Sequence, residues 1–152
     1  MVTGSKSSMY VAIDSRLLGI TMTIFILLLT VKSELLNNKL ITMQLVLVIP
    51  FLFGSIFTSA KIVNKNSLSR YYAMNRFCSS VAHALIFNTV GLLVATYVSF
   101  WIGVLYFIVL LFNLIWLTML KTPTPEHGFK NYIKAIIMIP IILLLGLLPT
   151  IL

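Results

Sequence analysis

The sequence predicts an all-α membrane protein: a polytopic bundle of five transmembrane helices, with the N-terminus cytoplasmic and the C-terminus external. Three observations predict it. Of 152 residues, 60% are hydrophobic and 9% charged, against about 45–50% and about 25% in soluble domains, so the charges are too few to build a water-facing shell. The apolar residues fall into five runs, each near the roughly 20 residues needed to cross about 30 Å of hydrocarbon. The basic residues are shared unevenly between the segments that join those runs. Hydrophobicity at this level also excludes a disordered chain, and the length corresponds to a single transmembrane domain over residues 1–152.

The first run, Leu17–Leu35, carries Lys32 and Glu34 near its far end. Its apolar part approaches the length of a signal peptide. However, Thr30-Val31-Lys32-Ser33-Glu34 is charged where cleavage would fall and offers no small-x-small site, so the run is read as a span. The second span, Leu40–Ala60, stops at Lys61, and a polar segment, Lys61–Arg76, leads to the third, Phe77–Tyr97. The fourth is Trp101–Leu120 and the fifth Ile133–Leu152. No formal charge separates Val81 from Leu120. Forty residues of unbroken helix would measure about 60 Å, twice the membrane. A tight turn is therefore expected over Tyr97–Phe100, with Tyr97 and Trp101 at the water interface. Pro50 and Pro140 each delete one backbone donor and should kink their helices, while Pro149 ends the last.

Charge counting supports this division. Five spans put Lys6, Arg16, Lys61, Lys65, Arg70, Arg76, Lys121, Lys130 and Lys134 on one side and only Lys32 and Lys39 on the other. Merging the third and fourth spans would carry the last three bases across and erase the bias, so the positive-inside rule favours five. The net charge of +8 thus reports orientation. It does not describe a nucleic-acid surface, which would gather its bases on one solvated face. The segment with Lys61, Lys65, Arg70 and Arg76 contains no acid and places Tyr71 and Tyr72 near the interface. It is expected to fix topology, or to dock anionic lipid headgroups at about 1 kcal/mol per base.

The acids, Asp14, Glu34 and Glu126, all fall at or beyond the ends of the predicted spans. Coupled transporters keep an ionisable group at membrane depth, so the reading disfavours proton- or cation-coupled transport and leaves an uncoupled pore. His83 is the one imidazole within a span. Metal and haem sites need further ligands, and the other histidine, His127, lies in a loop. His83 is therefore expected to be a neutral hydrogen-bonding residue, with a metal site open only if a partner subunit shares it. Cys78 and His83 lie about 140° apart on a helical wheel and cannot pair as nucleophile and base unless the helix breaks. Cys78 is read as a small, buried, inert thiol, and as the single cysteine it forms no internal disulfide.

On the third span, Ser80, Ala84, Asn88, Gly91 and Ala95 fall within about 80° of one another. Small residues admit a neighbouring helix, and Asn can hydrogen-bond across such a contact for about 0.6 kcal/mol. This stripe is the expected helix-packing interface, with a helix of the same chain or of another subunit. Weaker patterns of the same kind are Gly19/Thr23/Thr30, Gly54/Thr58 and Ser55/Ser59. The lone amides Gln44 and Asn113 should face protein, because an unpaired amide in hydrocarbon costs several kcal/mol. Glu126-His127-Gly128, in the segment Lys121–Tyr132, read as surface residues.

No nucleotide-binding glycine pattern, paired carboxylates, zinc spacing or nucleophile elbow is present in the sequence. The expectation is a non-catalytic structural or accessory subunit of a larger membrane complex, of energy-transducing or oxidoreductase type, needing no cofactor. It would sit in a cell membrane or organelle inner membrane and meet other membrane subunits through the third helix. Two alternatives stand beside it. One is a homo-oligomeric small channel or transporter lined by Gln44, Asn88 and Asn113. The other is an intramembrane enzyme using Cys78 or His83.

Overall fold

In apolar surroundings a backbone must satisfy its own N–H and C=O groups, and a helix does this within one segment. The computed structural model follows that rule. It describes residues 12–24, 26, 38–64, 69–120 and 128–151, of which 97% are helical with no strand. The helices are α1 (12–24), α2 (Lys39–Asn64), α3 (Ser69–Tyr97), α4 (Phe100–Leu120), α5 (Gly128–Ile142) and α6 (Leu148–Ile151). A π-helical turn, Leu143–Leu147, joins the last two. The far half of the first predicted span lies outside the described residues, with Lys32 and Glu34. So do Lys65, Lys121, Glu126 and His127. Among the described residues two helices are long and apolar enough to cross a membrane: Lys39–Ile62, with mean hydropathy 2.2, and Tyr71–Tyr97, with mean hydropathy 1.7. Phe100–Trp116 and Ala135–Ile151 are shorter apolar stretches.

The contacts divide the chain into two compact units, Met1–Ala82 and His83–Leu152, with α3 running through the division. In the first unit α2 begins at Asn38, whose Oδ1 accepts the Leu40 and Ile41 N–H groups at 3.1 and 3.4 Å, an N-cap. Its buried stripe, Ile41, Leu45, Val48, Leu52, Ser55 and Ser59, repeats every three or four residues, as one face of a helix must. Phe51 meets Phe77 edge to face, 6.1 Å between centroids.

The polar segment expected over Lys61–Arg76 proves largely helical. Helix α2 runs on to Asn64, and α3 starts at Ser69, eight residues before Phe77. Hydropathy marks where apolar character stops, whereas a helix continues while its residues tolerate helical backbone. The last predicted span likewise starts early, at Gly128.

In the second unit the expected turn is present. Helix α3 ends at Tyr97 and α4 begins at Phe100. Val98 and Ser99 both donate their N–H to the Val94 carbonyl, at 3.0 and 3.1 Å, and the Gly103 N–H takes up the Ser99 carbonyl at 3.0 Å. Helix α4 has two distinct faces. Gly103 and Phe107 are buried, while Trp101, Leu105, Ile108, Phe112 and Trp116 are exposed and lie within about 80° of one another. Helix α4 packs on α5, on the π-turn and on α6.

Candidate functional site

Both units bury polar side chains among their described residues. In the first, Asp14 on α1, Ser55, Thr58 and Ser59 on α2, and Asn75 on α3 come together. Spacing of three and four residues puts the α2 hydroxyls on one side of the helix, and α3 reaches them because its first two turns precede Phe77. Ser55 Oγ bonds Asp14 Oδ2 and also lies 2.7 Å from Asn75 Oδ1. Ser59 Oγ and Thr58 Oγ1 stand 3.0 and 3.3 Å from the same oxygen. The Thr58 hydroxyl also reaches the carbonyls of its own helix, Gly54 at 2.7 Å and Ser55 at 3.0 Å. Asp14 is 1% exposed, and its Oδ1 has no hydrogen-bond partner among the described residues.

This arrangement changes the account of the acids. Asp14 precedes the expected start of the first span, and what the sequence did not anticipate is that it lies in the first turns of α1, buried and bonded to Ser55 of α2. The sequence carries a partial signal, since Gly54/Thr58 and Ser55/Ser59 stand out as small-residue pairs. Asn75 fell in an expected loop and Asp14 ahead of an expected span, so nothing along the chain linked the three segments. Cys78 packs close by, with its Sγ 3.0 Å from where a Cβ on Gly54 would stand, and is buried as expected.

In the second unit the lower part of the small-residue stripe meets helices of its own chain. A Cβ added to Gly91 would lie 2.4 Å from Phe107 Cζ, and one added to Gly103 would lie 2.3 Å from the Ala95 Cβ. Asn88 is fully buried and its Nδ2 donates to the Ile141 carbonyl at 3.0 Å. That acceptor fixes the amide's orientation, because only the N–H side can face a carbonyl. Its Oδ1 has no hydrogen-bond partner and points to Gly146, where an added Cβ would come within 2.5 Å of both Oδ1 and Phe107 Cε1. The π-turn carries Gly146, and there the Leu148 N–H donates to Leu143, five residues back. Of the upper stripe, Ser80 and Ala84 are buried, and Ser80 Oγ has no hydrogen-bond partner.

The remaining expected residues are dispersed. Helix α3 is unbroken through Cys78 and His83, so their wheel separation stands; His83 is half-buried. Gln44 is fully buried, as expected of a lone amide. Asn113 is exposed, at a shallow apolar groove of about 430 Å³ beside Phe87, Ile102 and Tyr106. Gly19 and Thr23 are exposed on α1, and Thr30 lies outside the described residues. Of the four bases of the polar segment, Lys61 sits 5.0 Å over the Phe57 ring and Arg76 is half-buried on α3. Arg70 lies in the first turn of α3, and Lys65 falls outside the description. Among the described residues no three His, Cys, Asp or Glu side chains gather as a metal site. The chain matches no protein-family model, and no curated protein or solved structure is significantly similar to it.

Proposed function

We propose that this chain is a five-span integral membrane protein serving as a non-catalytic accessory subunit of a larger membrane complex. The observation that supports this most is the division of labour across α4. Its inward face interlocks with glycine and alanine of α3 and with Gly146, while its outward face presents Trp101, Leu105, Ile108, Phe112 and Trp116. A water-soluble helix carries polar residues on that outer side; this one carries a surface suited to lipid or to an apolar neighbour. The Asn88 amide is engaged by the chain's own helix, which suits a scaffold. An energy-transducing or oxidoreductase complex is the host class carried over from the sequence. Extraction from native membranes in mild detergent tests the reading. Different chains in fixed stoichiometry should travel with the protein, and a pure homo-oligomer would reject it.

A second reading, a homo-oligomeric small channel or transporter, is favoured by the buried Asp14 cluster and the exposed Asn113 amide. It requires that Asn88→Leu with Asn113→Leu abolish flux in liposomes; flux equal to that of the parent protein would reject the proposed lining.

A further inference from the structure

The Asp14 cluster has more acceptors than hydrogens. Ser55 has a single hydroxyl hydrogen, yet its Oγ contacts Asp14 Oδ2 and Asn75 Oδ1, both acceptors. The Thr58 hydrogen has its shortest acceptor in its own helix, the Gly54 carbonyl at 2.7 Å. Turning the Asn75 amide over would point two N–H donors at the α2 hydroxyls. Even then, Asp14 Oδ1 would stay buried without a partner. Among the described residues, Ser55 is the only hydrogen-bond partner of the carboxylate. A buried carboxyl stays charged only beside a compensating positive charge and otherwise holds a proton.

The geometry points to a binding site for one small monovalent cation, of Na⁺ size, formed by Asp14, Ser55, Thr58, Ser59 and Asn75. The donor set is all oxygen, which suits a hard ion. It has a single formal negative charge, so a monovalent ion neutralises it whereas a divalent one would leave a buried positive charge. The hydroxyls stand at hydrogen-bond separations of 2.7–3.3 Å from Asn75 Oδ1, so an entering ion would replace those hydrogen bonds, and oxygens this close together admit Na⁺ more readily than the larger K⁺. Nothing in this site depends on whether the chain is an accessory subunit or a transporter.

The test uses the full chain purified in detergent. Its thermal unfolding is followed while NaCl replaces choline chloride at constant ionic strength. Ligand bound only by the folded state raises the midpoint in a saturable way. The expected result is a saturable rise with Na⁺, a weaker one with K⁺, and none with choline. Asp14→Asn, which keeps shape and hydrogen bonding but removes the charge, should abolish the Na⁺ response. Thr58→Val, the second variant should Asp14→Asn fail to fold, should raise the half-saturating Na⁺ concentration about tenfold. Labelling of Asp14 by dicyclohexylcarbodiimide, which reacts with a protonated carboxyl, should slow as Na⁺ is added. Midpoints and labelling rates that are equal in Na⁺ and choline would overturn the proposal and leave the cluster as a hydrogen-bonded helix contact.

Discussion

At the scale of the residue, the packing of the second unit rests on atoms that are missing. Gly91 and Gly103 leave room for Phe107 and Ala95, and nothing larger than hydrogen fits at either position. Gly103→Val should destabilise the protein by about 1–3 kcal/mol, the usual cost of overpacking a filled interior, read as a lower unfolding midpoint in detergent. Asn88 contributes less. Asn88→Leu forfeits one bond to Ile141, worth about 0.6 kcal/mol in membrane proteins. Asn88→Asp should cost more than Asn88→Leu, because it sets a carboxylate oxygen against a carbonyl oxygen; the reverse order would refute the assigned orientation. Gly91, Ala95 and Asn88 were legible because their spacing alone puts them on one face. Phe107 was not, since within a run of apolar residues nothing distinguishes the aromatic side chain that fills the gap from those that face outward.

At the scale of the element, the π-turn is the feature that hydropathy could not anticipate. A run such as Leu143–Leu147 looks like continuous helix, and Pro140 was the interruption expected there. The wider turn brings Gly146 against Asn88 and Phe107. In an ordinary helix interior Gly→Ala stabilises by up to about 1 kcal/mol. Here Gly146→Ala should instead destabilise, because its Cβ would meet both side chains, and the sign of the change in unfolding midpoint decides between the two geometries. The α3–α4 turn shows the opposite case. Membrane thickness and helical rise together required a break near Ser99, and the backbone turns there. The start of α3 was misplaced. The sequence put the boundary at Phe77, the first residue of the unbroken apolar run, whereas the apolar helix extends back to Tyr71 and so includes Asn75.

At the scale of the whole molecule, two kinds of information separate. The expected orientation rests on composition alone, because nine bases against two is a property of the expected connecting segments and requires no knowledge of contacts. The Asp14 cluster could not be read in this way, because it depends on three segments meeting, with Asp14 and Ser55 41 residues apart in sequence. Its presence puts one of the three acids in the interior of the first unit, although Asp14 precedes the expected start of the first span at Leu17. The outward face of α4 connects fold to environment. A helix of 21 residues is about 31 Å long, close to the hydrocarbon thickness, with Trp101 at one end.

The claim beneath all of these readings is that the chain crosses the membrane five times with its N-terminus inside. Placing a cysteine at Ser99, in a Cys78→Ala background, tests it most directly, because this turn is external only if α3 and α4 are separate spans in that orientation. A membrane-impermeant maleimide applied to intact cells should label Ser99→Cys without permeabilisation. Labelling that appears only after the membrane is opened would contradict the five-span topology.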